Sequence, residues 1–225
     1  MGPEPLDDPF VAYRRRLIET IRSRGIGDLE ILELFDRVPR HLFLPEGVWP
    51  RAYEDAPVPI GYGQTASQPS LQALYISIVR PERHEVVLEI GTGSGYLTAI
   101  LSHTAERVYS IERVRELSRR ARRALDQLRI KNVALLVGDG TIGWKKYAPF
   151  NVILVSAGAP RIPQALLDQL ADHGRLLIPV GSRERQELVL VRREGTELHE
   201  EAVGAECTFV PLLGRFAWND EGPGA

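Results

Sequence analysis

The chain has 225 residues, 44% of them apolar and 26% charged, a globular composition that excludes disorder and collagen-like repeats. A net charge of −2 and a sequence pI of about 6.2 give no electrostatic push towards nucleic acid or an anionic membrane. One cysteine, Cys207, excludes an internal disulfide, and five scattered histidines add no ligand set for zinc.

The first nine residues hold three prolines and three acids and read as a loose tail without the apolar core of a signal peptide. Phe10, Tyr13, Leu17 and Ile21 then recur at helical spacing. Ile31, Leu34, Phe35 and Val38 predict a second short helix, ended by Pro39. Residues 39–69 carry six prolines and predict a long loop; Trp49, Tyr53 and Tyr62 argue that it is ordered. A helix fits Ser70–Val79.

After Pro81 strands and helices alternate. Strands are predicted at 86–90, 108–111, 133–137, 152–155 and 176–180, with helices at 95–104, 113–129 and 163–171. Two late strands, at 188–191 and near 207–211, have no helix between them. This order implies a mostly parallel sheet covered on both faces, with an antiparallel C-terminal edge. The whole reads as one compact unit: an N-terminal helical and loop extension over 1–80, then an α/β core over 81–225. No stretch approaches roughly 18 consecutive apolar residues, the length of a membrane span. The default is a cytoplasmic protein without a resident metal.

The sharpest motif is Glu89-Ile90-Gly91-Thr92-Gly93-Ser94-Gly95-Tyr96, between a predicted strand and helix. Open α/β sheets bind ligands at such strand ends. Three nucleotide-type motifs fail there. The dinucleotide fingerprint needs glycine where Tyr96 stands; a P-loop needs a lysine; a nucleophile elbow needs glycines two residues either side of Ser94. What remains, acid-x-G-x-G-x-G, resembles the first motif of Rossmann-like class I methyltransferases that use S-adenosylmethionine. Glu112, 23 residues on, ends the next strand, where a carboxylate can accept both hydroxyls of a ribose. Gly138-Asp139-Gly140 follows the third strand; Asp139 can accept from an exocyclic adenine amine, with room left by the glycines.

Residues 57–70 are more specific. Gly63-Gln64-Thr65-Ala66-Ser67-Gln68-Pro69 closely resembles the protein-L-isoaspartate (D-aspartate) O-methyltransferase family. So do Arg37 to Arg40, Phe43-Leu44-Pro45, Ala52 to Asp55, Leu88 to Tyr96, Ser110 to Arg113, Gly138 to Gly140, Ile178 to Gly181 and Phe209 to Leu212. The resemblance implies methylation of isoaspartyl residues in damaged proteins and peptides. It maps the active-site serine onto Ser67 and implies an acceptor cleft formed by Pro59, Ile60, Thr65, Ser67, Val210 and Leu212. On the cofactor side it implies Gln64, Glu89, Gly91, Thr92, Gly93 and Gly95, then Tyr96, Glu112, Arg113, Asp139 and Gly140. Three residues depart from the family pattern. Asn151 stands for an aspartate and reads as structural. Gly158 stands for an alanine and reads as lying nearer the cofactor face. Ala66 stands for an isoleucine in the loop.

A carboxylate acceptor has a reference pKa near 4 and is ionised at neutral pH, so no general base is required. Positioning and water exclusion remain as the protein's task. Ser67 and Thr65 are expected to orient the acceptor by hydrogen bonds; the plainer alternative is that Ser67 caps the helix beginning near Ser70. The arginines at 14–16 and at 119, 120, 122 and 123 read as solvated helix faces. Cys207 and the three tryptophans read as packing residues. A monomer is expected, with no nucleic-acid or membrane partner. Two rivals stay open: a carboxyl methyltransferase of the same fold with another acceptor, and a non-catalytic binder of S-adenosylmethionine or peptide.

Overall fold

The computed structural model describes residues 9–219; most of the N-terminal tail lies outside them. The extension opens with α1 (Val11–Ser23) and α2 (Leu29–Arg37). Asp28 caps α2, its carboxylate accepting the amides of Glu30 and Ile31. α3 (Pro69–Val79) has proline in its first turn, where no intrahelical N–H is lost. Residues 39–69 are more regular than their prolines suggest. They form 3-10 turns at Arg40–Phe43 and Glu46–Arg51, then a hairpin of β1 (Val58–Gly61) and β2 (Gln64–Ala66).

The core follows as β3 (Val86–Ile90), α4 (Tyr96–Thr104), β4 (Arg107–Glu112), α5 (Arg115–Gln127), β5 (Val133–Val137) and β6 (Phe150–Val155). It ends with α6 (Gln164–Leu167), β7 (Leu170–Gly181), β8 (Gln186–Glu194) and β9 (Glu197–Cys207). The sheet order is β5-β4-β3-β6-β7-β8-β9. The pairs from β5 to β7 are parallel, and β7-β8 and β8-β9 are antiparallel. This is the expected α/β architecture. The chain runs outwards from β3 through β4 to β5, then returns to β3's other side with β6. That reversal opens a crevice at the carboxyl end of β3.

Central strands are apolar on both faces: Leu88, Ile153, Leu154 and Leu177 are all fully buried. Truncating any of them to alanine costs about 2–5 kcal/mol. The extension shares this core, since Leu17, Phe35 and Tyr75 pack in one cluster with Val87, Ile100 and Val152. No helix among the described residues is long and apolar enough to cross a membrane.

Two predicted elements are corrected. The helix at 163–171 is a single turn, and β7 already begins at Leu170. Leu166, Leu167 and Leu170 are all buried, so their spacing mimics a longer helix. The last strand is β9 and not 207–211. β9 is mostly solvent-exposed and carries Glu197, Glu200, Glu201 and Glu206, so it has no apolar run to announce it. Residues 208–218 instead thread back across the sheet's carboxyl edge through isolated bridges, including Gly158 with Pro211.

Candidate active site

The site begins where β3 ends. The Gly91 amide donates to Ile111 O at 2.9 Å, tying the turn to β4. Gly91, Gly93 and Gly95 all have positive φ. Gly95 has a second constraint: a Cβ there would lie 2.8 Å from Ala121 Cβ, so α4 can start this close to α5 only without a side chain. Glu112 then holds the turn from the neighbouring strand. Its Oε2 accepts the Gly93 amide at 2.8 Å and its Oε1 accepts the Val114 amide at 2.9 Å. Each oxygen retains acceptor capacity for a further donor.

A buried hydroxyl chain lies beneath. Thr98 and Ser110 donate to Glu89 Oε2 at 2.5 and 2.6 Å, and the Ser110 and Thr92 hydroxyls share a 2.5 Å bond. Glu89 is fully buried, and its Oε1 has no partner among the described residues. Burial is the main force pushing its pKa up to about 7; the two hydroxyl bonds pull it down, and Glu112 adds to the rise.

One cavity is walled by this turn (Gly91 to Ser94), Glu112, Arg113 and Gly140 on one side. Gln64, Thr65 and Ser67 of the hairpin side and Val210 and Leu212 of the C-terminal segment close it. A second, more open groove runs between the end of α1, α3 and the stretch from Glu206 to Val210. The two share Thr65, Ser67, Ser156 and Val210. Ser67 thus sits at the junction of a lined chamber and a groove open to solvent.

Several residues expected at the site do not line either space. Glu89 is beneath the turn and does not line the cavity. Tyr96 is fully buried between Phe35 and Phe43, with the Arg40 guanidinium 5.8 Å from its ring centroid. Gly95 faces Ala121. Ile60 is buried and Pro59 exposed, and neither lines either space. The Asp139 carboxylate is engaged: it accepts the Thr141 amide and hydroxyl at 2.8 and 2.7 Å and the Arg215 amide at 2.8 Å.

Membership is decided by the whole chain. Residues 12–217 match the family model described as protein-L-isoaspartate(D-aspartate) O-methyltransferase. The chain belongs to this family. A protein-L-isoaspartate O-methyltransferase of Syntrophus aciditrophicus is 50% identical over 216 residues, covering 94% of this chain and 99% of the relative. One from Geobacter metallireducens is 48% identical over 215 residues, with the same coverage. Among solved structures, a protein-L-isoaspartate O-methyltransferase of Plasmodium falciparum in complex with S-adenosyl-L-homocysteine aligns with a TM-score of 0.78 at 25% identity. That alignment covers 89% of this chain and 98% of the other. A further protein-L-isoaspartate O-methyltransferase structure aligns at 0.79 and 30% identity, over 91% of this chain and 67% of that one.

The family departures now have places. Asn151 Oδ1 accepts the Val86 amide at 2.9 Å and fixes the start of β3. Gly158 does not line the cavity. Its N–H donates to Val210 O, its carbonyl accepts from the Leu212 amide and the Trp218 indole, and a Cβ there would meet Gln186 at 2.8 Å. It anchors the C-terminal segment. Ala66 is buried in β2 opposite Val58.

Several residues around this isoaspartyl methyltransferase site escaped the sequence, among them Gln72, Ile90 and Ile111 of the cavity wall. Ser156, after β6, borders both spaces. Arg40 is fully buried and donates to the carbonyls of Ala52, Glu54, Ala56 and Ser67 at 2.8, 3.1, 3.4 and 3.0 Å. Desolvation lowers its pKa, partly offset by the Tyr96, Asp55, Tyr53 and Glu54 side chains.

Proposed function

We propose that this chain is an S-adenosylmethionine-dependent O-methyltransferase acting on the free α-carboxylate of L-isoaspartyl residues in damaged proteins and peptides. The observation that carries it is the meeting of the glycine-turn cavity and the neighbouring groove at Thr65, Ser67, Ser156 and Val210. A residue inside a polypeptide needs a groove open at its ends, whereas a small cofactor needs a lined chamber.

The chamber's donor set fits S-adenosylmethionine. It combines the side-chain-free backbone of the glycine turn, the Glu112 carboxylate for ribose hydroxyls, Gln64 and Gln72 for the amino-acid end, and apolar Ile90, Ile111 and Leu212 for a base. Asp139 is proposed to contribute from behind Gly140, where it holds the Thr141 and Arg215 amides. When bound, the cofactor supplies a methyl group already activated by its sulfonium.

The residues' own task is orientation. Ser67 and Thr65 donate to the acceptor carboxylate and present one oxygen towards the chamber. Val210, Phe209 and Leu71 keep water from the groove's inner end. No side chain needs to take a proton, because the acceptor is ionised at neutral pH. The ester product then closes without catalysis: the following backbone nitrogen attacks the ester carbonyl, methanol leaves, and the succinimide opens with water partly to normal aspartate.

The reading includes residues 1–80 as the acceptor-side extension, 81–225 as the cofactor core, and a cytoplasmic monomer. Burial pushes the Cys207 thiol up to about 11 and leaves it largely unreactive at neutral pH. The deciding experiment is methyl transfer to a matched peptide pair, one isoaspartyl and one aspartyl. Transfer to the isoaspartyl peptide alone is expected. Transfer to both or neither overturns the acceptor, and binding without transfer supports a non-catalytic binder.

A further inference from the structure

The hairpin that delivers Thr65 and Ser67 is held at both ends by arginines. At its base, Arg40 reaches Ala56 O and Ser67 O. At its tip, Arg120 of α5 donates from Nη1 to Ile60 O at 3.3 Å, and its guanidinium stands 5.6 Å from the Tyr62 ring centroid. Glu116, one turn earlier, lies 3.7 Å from Arg120 Nε, while it accepts a hydrogen bond from Arg119 at 2.9 Å. The tip needs holding: Gly61, Tyr62 and Gly63 have φ of 91°, 57° and 68°, and a tyrosine adopts that region only under constraint. β1 and β2 also change register there, between Pro59 and Gly61. α5 starts three residues after Glu112, so the element leading away from the cofactor cavity also grips the acceptor hairpin.

We propose that Arg120 is a positioning residue for methyl transfer. It fixes the hairpin tip through the Ile60 carbonyl and the Tyr62 ring, and thereby sets the placement of Thr65 and Ser67 at the junction of the two cavities. The inference rests on the methyltransferase reading. Arg120 lines neither cavity, and its side chain is 47% exposed, so removing it opens no hole in the core.

The test compares Arg120→Ala, Arg120→Lys, Tyr62→Ala and the Arg120→Ala/Tyr62→Ala double variant, with isoaspartyl-peptide kinetics, S-adenosylmethionine affinity by calorimetry, and melting temperature. Arg120→Ala is expected to lower kcat/KM for the peptide about tenfold while cofactor affinity stays within about twofold. Arg120→Lys keeps a donor and a cation and restores most of the loss. The double variant is no worse than Arg120→Ala, because that change already removes the Tyr62 contact. Unchanged kinetics in Arg120→Ala, a parallel loss of cofactor affinity, or additive losses each overturn the proposal. Should the wild type transfer nothing to the peptide, the functional reading fails separately. Amide hydrogen exchange at 64–66 then decides Arg120's role: faster exchange in Arg120→Ala upholds the clamp and unchanged exchange rejects it.

Discussion

Asp55 Oδ1 accepts the Ser70 amide at 2.8 Å, while Asp55 Oδ2 accepts the Gln68 side-chain amide at 2.9 Å. The first turn of α3 is therefore satisfied by a residue far back in the chain, and the helix-capping role open to Ser67 is already filled. Ser67→Ala is expected to reduce turnover of an isoaspartyl peptide about 10- to 100-fold with melting temperature and cofactor affinity unchanged. Asp55→Ala should do the reverse to stability, costing about 1–2 kcal/mol in urea denaturation. Equal loss of turnover and cofactor affinity in Ser67→Ala would remove its proposed role.

Glu112 uses both carboxylate oxygens on backbone amides, those of Gly93 and Val114. Glutamine offers one acceptor and turns an NH2 towards the other amide. Glu112→Gln should therefore loosen the glycine turn and weaken S-adenosylmethionine binding about 10- to 100-fold by calorimetry, the equivalent of one unsatisfied buried donor. Affinity within about twofold of wild type would show that the turn holds without it.

Glu89 predicts a pH dependence with a definite sign. Its folded pKa is raised, mainly by burial, to about 7, above the unfolded value of 4.5. The folded protein thus keeps a proton that the unfolded chain releases. The resulting stability is fully present below about pH 4.5 and is lost as pH rises to about 7, by a few kcal/mol. Glu89→Gln mimics the protonated form and should flatten this part of the profile. Melting temperatures of both proteins between pH 4.5 and 8 check it; parallel curves would mean that Glu89 is charged throughout.

Arg40 donates to four carbonyls from a fully buried position. Lysine has three donors and no planar fork, so Arg40→Lys should cost about 1–3 kcal/mol in urea denaturation. Arg40→Leu leaves all four carbonyls without this donor and should cost more, with the peptide KM rising as the hairpin base loosens. A leucine variant as stable as wild type would show that water replaces the guanidinium.

The parts of the site legible in the sequence are those fixed by local backbone geometry. The glycine turn, Glu112 at the end of β4 and the Thr65-Ala66-Ser67 stretch carry their constraints within a few residues. Arg40 was opaque because nothing near it announces that carbonyls 12 to 27 residues away will converge on it. Glu89 reads as a ligand from the motif. Only the third dimension brings Ser110 and Thr98 to it and turns it under the floor. The fold divides in the same way. Buried strands such as β3 and β6 show as apolar runs, whereas β9 pairs on one side only and is written in charges. The reach of 208–218 across the sheet rests on Gly158, and a lone glycine does not say what will lie on it.

β9 also bears on the company this protein keeps. An enzyme that repairs polypeptides in proportion to their damage meets chains that have lost their folds and seek strand partners. β9, one of its two outermost strands, is a natural place for such a client to stick. With exposed carboxylates at Glu197, Glu200, Glu201 and Glu206 and a register break opposite Glu187–Val189, that border is poorly suited to pairing with another strand.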